Sequence, residues 1–239
     1  VKLITIVGVS GSGKTTVAEA LIRAFTAAGL SVASAKSIAC GRPGIHRRQA
    51  PGLSPHQLTP FTIDTPGSNS YRHRQAGSSL VLTRAATETA LLFPQELPLP
   101  SLLPLLAPYD YVILEGDYDA PLPRIVTAVD PADAAERITP RAFAVSGQAA
   151  SRHRHLCGLP AFDVTTPEGA SALASLTAQM AAPWPAPATP ALSLRDASGH
   201  PLPLPESLHQ ALALALLSAN TPLPPGAELT IRLPGEATP

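Results

Sequence analysis

Hydrophobic positions open the chain as a near-continuous run, Leu3, Ile4, Ile6 and Val7, closed by Gly8. A short run rich in β-branched residues and ended by glycine predicts a strand buried on both faces. Apolar positions return at Val17, Leu21, Ala24 and Phe25, the spacing of one helix face, which predicts a helix over Thr16–Ala27. Gly29 supplies a left-handed stop, and Leu30–Ala35 reads as a second strand. The chain therefore begins with a βαβ unit, which implies a parallel sheet with a right-handed crossover. Strands are expected again at Ser79–Thr83, Tyr109–Gly116, Pro123–Val129 and Ala142–Ser146, with Leu159–Asp163 as a last short one. Two helical pieces are expected within Thr87–Leu106, broken around Pro94–Pro100, and a final helix over Glu168–Met180, capped by Asp163 or Thr166. Alternation of this kind is an α/β architecture, a mainly parallel sheet flanked by helices.

The pattern lapses in two places. Residues 37–60 carry Gly41, Pro43, His46, Arg47, Arg48 and Pro51 without periodicity, a long irregular loop whose basic residues suit a phosphorylated substrate or simply solvent. Pro183–Pro190 reads as a stiff, extended linker. The expected organisation is a nucleotide-binding domain over 1–182, a linker over 183–190 and a β-β-α-β appendage over 191–239. The appendage comprises Ala191–Asp196, Pro201–Leu204, a helix over Pro205–Ala219 and Glu228–Leu233.

The chemistry sits where the first strand meets the first helix. Gly8-Val9-Ser10-Gly11-Ser12-Gly13-Lys14-Thr15 is the pattern G-x-x-x-x-G-K-[ST], in the strand–loop–helix setting that pattern requires. Its glycines let backbone N–H groups turn toward phosphate oxygens, and the helix N-terminus adds its positive dipole end. Lys14 is placed for the β- and γ-phosphates, the Thr15 hydroxyl for Mg²⁺ and Thr16 for the α-phosphate region. Lys36 ends the second strand, where strand ends face a ligand crevice, and is either a phosphate contact or a solvated lysine. Glu115 ends an apolar strand in the manner of a Walker-B acid, and Asp64 opens a Thr-Pro-Gly turn. Both carboxylates are candidates for the metal or for the water it holds. Arg72 and Arg74 are candidate phosphate contacts.

Composition narrows the partners. Lys plus Arg and Asp plus Glu balance at 17 each, which argues against nucleic acid or an acidic membrane surface. No apolar run approaches the length of a membrane span, and the first strand leaves no room for a leader, so the expected compartment is the cytoplasm. Cys40 and Cys157 make no disulfide framework. His153, His155 and Cys157 are zinc-capable, but Arg152 and Arg154 beside them oppose a cation, and a solvated connection is the expected reading.

With these residues in place, the chain resembles the MobB family of molybdopterin guanine dinucleotide biosynthesis adaptors over residues 1 to about 180. The resemblance rests on Gly8–Thr16, Lys36, Leu114-Glu115-Gly116 and, most specifically, the Asp-x-Pro-Gly-x-x-Ser-x-Arg-x-x-x-Ala-Gly stretch from Asp64 to Gly77. It implies a dimeric GTP-binding protein with Mg²⁺ and weak hydrolysis. It further implies help to a MobA-type guanylyltransferase that joins GMP to molybdopterin, with molybdopterin as a possible ligand and molybdoenzymes as possible partners. Three departures stand near the expected metal site: Ser68-Asn69 in place of Lys-Asp, Ser37 in place of histidine, and Asp117 before Tyr118 where an aromatic normally comes directly. They bear on turnover more than on binding. The guanine-reading Asn/Thr-Lys-x-Asp motif of regulatory GTPases is absent, so base preference rests on the resemblance. Two other readings remain open at this point: an ATP-dependent small-molecule kinase or ligase with the 37–60 loop as lid, and a non-catalytic interaction protein.

Overall fold

The computed structural model describes residues 1–38, 62–95, 97–183, 191–196, 198–203 and 228–232. In chain order these form β1 (Lys2–Gly8), α1 (Lys14–Ala27), β2 (Val32–Lys36), α2 (Asn69–Gln75), β3 (Val81–Arg84), β4 (Thr89–Leu92) and α3 (Leu99–Leu106). There follow β5 (Tyr111–Glu115), β6 (Arg124–Thr127), α4 (Pro131–Ala135), β7 (Ala142–Ser146), a 3₁₀ turn (Gln148–Ser151), β8 (His155–Leu156) and β9 (Leu159–Pro160). The last elements are α5 (Pro167–Met180), β10 (Ala182–Pro183), β11 (Ala191–Arg195), β12 (Pro201–Leu202) and β13 (Glu228–Arg232). The chain divides into two compact units, residues 1–39 with 106–185, and residues 40–105 with 186–239.

The first unit is a parallel sheet of order β2-β5-β1-β6-β7, with β10 antiparallel against the start of β1. The two opening strands are parallel, as the sequence implies, but β5 lies between them. That insertion matters for the site. Register pairs Ile6 of β1 and Lys36 of β2 with the same residue, Glu115, so the phosphate loop, the acid and the lysine emerge at the C-terminal ends of the parallel strands. Gly8 pairs with Thr127 on the other side.

Burial explains why β1 sits centrally: Leu3, Ile4, Ile6 and Val7 are at most 1% exposed. Each such side chain contributes about 1.5–3 kcal/mol of transfer free energy. The face of α1 formed by Val17, Leu21 and Phe25 covers the sheet, with Phe25 stacked on Tyr111 at 4.2 Å between ring centroids. Leu173 and Ala174 of α5 join the same core. Thr166 is the cap of α5, its hydroxyl accepting the Gly169 N–H at 3.1 Å, with Pro167 in the first turn where a missing N–H costs nothing.

In the second unit, β3 and β4 form a hairpin, and β11 lies between an antiparallel β12 and a parallel β13. The hairpin corrects one expectation. Thr89–Leu92 is a strand, and among the described residues α3 is the single helix of the Thr87–Leu106 stretch. Four residues before a proline are too few to nucleate a helix, whereas pairing with β3 satisfies their backbone at once. The linker over 184–190, nearly all of the 37–60 loop with Cys40, and the expected helix over 205–219 lie outside the described residues.

Candidate functional site

The phosphate loop is built by close backbone approach. A Cβ on Gly8 would lie 2.2 Å from Thr127 Oγ1 and 2.5 Å from Ser12 Oγ, so β1 can turn into the loop beside β6 only with glycine there. Gly11 and Gly13 have φ of +79° and +103°, the left-handed conformations that aim successive N–H groups to one side. Ser12 is fully buried and braces the loop from within, its Oγ 2.9 Å from Val9 O and 2.7 Å from Thr127 Oγ1. Its N–H also stays inside, on Val9 O at 3.2 Å, so its polar groups are spent on loop shape. Ser10, Gly11, Thr15 and Thr16 are exposed, and Gly13 is half-buried.

Lys14 donates to the carbonyls of Gly8 at 2.9 Å and Val9 at 2.8 Å. Burial pushes its pKa below the ordinary lysine value, and the negative charge of Glu115 works in the opposite direction. Glu115 itself is 8% exposed and collects two contacts on Oε1: the Thr15 hydroxyl donates at 3.0 Å, and Lys36 Nζ stands at 3.3 Å. The structure thus brings Thr15, Glu115 and Lys36 together beside Lys14. Gly116, at φ +87°, fixes this geometry, since a Cβ there would meet Ser37 O at 2.7 Å.

Tyr118 was not among the sequence candidates. Its Oη accepts the Gly8 N–H at 2.9 Å and donates to Gly8 O, tying the loop after β5 to the start of the phosphate loop. The signal available in the sequence was the aromatic set one residue later than the family pattern has it. Gly147 and Gln148 were also missed. A Cβ on Gly147 would lie 2.1 Å from Ser12 O, and Gln148 Nε2 donates to Gly11 O at 2.9 Å. The turn after β7 therefore packs directly on the phosphate loop, a relationship no local spacing reveals.

Asp64, Arg72 and Arg74 belong to the second unit. Asp64 Oδ1 accepts from Thr65 N at 2.8 Å, Ser68 Oγ at 3.0 Å and Ser70 Oγ at 3.1 Å, while Ser68 Oγ caps α2 by accepting from Tyr71 N at 3.1 Å. Asp64 Oδ2 is buried with no hydrogen-bond partner among the described residues. Arg74 is braced internally, 2.7 Å from Thr62 Oγ1 and over the Tyr71 ring. Arg72 is exposed.

The donor set fits Mg²⁺ as a phosphate-borne ion. A hydroxyl and a carboxylate supply hard oxygen ligands, and such an ion takes its remaining ligands from phosphate and water. Among the described residues no three His, Cys, Asp or Glu side chains group to hold a metal by themselves. His153, His155 and Cys157 are exposed. No described helix is long and apolar enough to cross a membrane.

A family model described as "Molybdopterin guanine dinucleotide synthesis protein B" (MobB) matches residues 52–145. The match spans Asp64–Gly77 and Glu115 and begins after the phosphate loop. The fold is similar to two solved structures of Bacillus subtilis MobB. One has TM-score 0.54 and 21% identity, covering 76% of this chain and 99% of the other. The second has TM-score 0.53 and 19% identity at the same coverage. No curated protein matches the chain.

Proposed function

We propose that this chain, which matches the MobB family model over residues 52–145, is a GTP-binding adaptor for the step that joins GMP to molybdopterin. The observation that carries the reading is the meeting of Thr15, Glu115 and Lys36 at the phosphate loop. Bound Mg²⁺ supplies charge neutralisation between the phosphates. The chain's own residues do the rest. The loop amides and Lys14 hold phosphate oxygens, exchanging the carbonyls of Gly8 and Val9 for stronger anionic acceptors. Thr15 and Glu115 would hold the ion through their side-chain oxygens, and Lys36 stands beside Glu115 Oε1 at 3.3 Å. Turnover is slow in this reading, because Lys36 engages Glu115, the acid that Thr15 contacts among the described residues. The partner is a MobA-type guanylyltransferase, and the working form is a homodimer.

Two measurements test the reading. Calorimetric titration with Mg–GTP and Mg–ATP should show GTP bound more tightly by at least about tenfold, roughly 1.4 kcal/mol. Adding the chain to a guanylyltransferase with molybdopterin and Mg–GTP should raise dinucleotide yield, and Lys14→Ala should abolish the gain. A preference for ATP, or no gain in yield, would overturn the adaptor assignment.

A further inference from the structure

A cleft of about 630 Å³ opens beside the phosphate loop on the β6–β7 side. Gly13 and Thr16 are among its lining residues, so it adjoins the helix N-terminus where the α-phosphate of a bound nucleotide would lie. The turns after β6 and β7 contribute Asp130, Gln148 and Arg152, and the segment before α5 contributes Asp163. Strand C-termini and the helix N-terminus thus converge on one open cleft, its volume within the range that holds small-molecule ligands.

We infer that this cleft is the nucleoside subsite, with Asp130 and Asp163 as the groups that read the base; the inference rests on the nucleotide-binding reading above. Both carboxylates commit only Oδ1 locally. Asp130 Oδ1 accepts the Asp133 N–H at 2.8 Å, and Asp163 Oδ1 accepts the Thr165 N–H at 3.0 Å and hydroxyl at 2.6 Å. Among the described residues, Oδ2 of each has no hydrogen bond. A carboxylate oxygen only accepts, so it selects a base edge that only donates. Guanine presents such an edge, N1–H beside the C2 amino group. Adenine presents an unprotonated N1, which a carboxylate repels. The cleft therefore favours guanine over adenine although the chain lacks the Asn/Thr-Lys-x-Asp motif. Gln148 donates its amide N–H to Gly11 O and so holds the loop to the wall of the cleft. Arg152, exposed at the rim, offers donors to ribose or phosphate oxygens.

The test uses the full chain, titrated with Mg–tripolyphosphate, Mg–GTP, Mg–ATP and Mg–XTP. Xanthine carries a C2 carbonyl in place of the amino group, so it prefers an amide to a carboxylate. The variant is Asp130→Asn with Asp163→Asn, in which each Oδ1 acceptor and hence each local turn survives. The wild type should bind GTP at least tenfold more tightly than either ATP or tripolyphosphate. The variant should bind tripolyphosphate unchanged, lose GTP affinity at least tenfold and gain XTP affinity. Equal binding of GTP and tripolyphosphate, a preference for ATP, or an unaltered GTP-to-ATP ratio in the variant would overturn the subsite while leaving the phosphate cradle intact. Binding of none of the four would remove the nucleotide reading and the subsite together.

Discussion

The phenol of Tyr118 accepts the Gly8 amide proton at 2.9 Å, so the loop that follows Glu115 and the loop that receives phosphate are held as one piece. The same oxygen donates to Gly8 O, which also accepts from Lys14. Tyr118 is thus a positioning residue for Lys14. Removing its hydroxyl leaves the Gly8 N–H without that partner, at a cost of about 1 kcal/mol. Tyr118→Phe should lower the melting temperature by a few degrees and weaken Mg–GTP binding about fivefold, as followed by calorimetry. Unchanged values for both would mean that the phenol is a passenger.

Glu115 serves two neighbours on one oxygen, and the two contacts differ in kind. Lys36 is 59% exposed, so its ion pair is screened and contributes at most about 1 kcal/mol. The Thr15 contact is the one a metal would replace. Glu115→Gln should reduce nucleotide affinity at least tenfold in Mg²⁺ and leave it unaltered in EDTA. Thr15→Ala should behave alike, with Thr15→Ser restoring binding. Equal losses with and without Mg²⁺ would assign Glu115 to loop structure.

Much of this was legible in the sequence because it is local. The phosphate loop, β1, α1, β5 and the cap of α5 each announce themselves within a few residues, through periodicity, glycine spacing or a Thr-Pro pair. The acid Glu115 was legible because the strand that carries it ends there. What was not legible is tertiary. Insertion of β5 between β1 and β2 decides that Lys36 meets Glu115, and no run of residues encodes that order. Gly147 lies far along the chain from Ser12, yet their backbones touch. The β3–β4 hairpin was missed for a different reason: a short apolar run has no period to measure, and partner pairing decides its state.

The Gly147 packing gives a prediction with an internal control. In Gly147→Ala the new methyl would lie 2.1 Å from Ser12 O, at a φ of +82° that already disfavours a side chain. Backbone on both sides cannot yield cheaply, so a loss of about 2–4 kcal/mol is expected, with nucleotide affinity falling alongside. Gly11→Ala has a similar φ of +79° but meets nothing within 4 Å, so it carries conformational strain alone, about 1–2 kcal/mol. Denaturant unfolding of the two variants should rank them in that order. The reverse order would show that the turn after β7 does not support the phosphate loop.

The lowered pKa of Lys14 makes both stability and binding depend on pH in a defined sense. The unfolded chain holds this proton up to the ordinary lysine value of 10.5, while the folded chain releases it earlier because burial disfavours the ammonium. Between the lowered folded value and the unfolded one, the unfolded state binds more protons, so the Lys14 contribution to stability improves as pH rises through that window. Relative to Lys14→Met, the wild type should therefore gain in melting temperature as the pH is raised there. Nucleotide binding runs the other way. Phosphate charge restores the ammonium, so binding within the window takes up a proton, and affinity falls as the pH climbs. Calorimetry in two buffers of different ionisation enthalpy measures that proton directly. Proton uptake that persists in Lys14→Met would place the titrating group elsewhere.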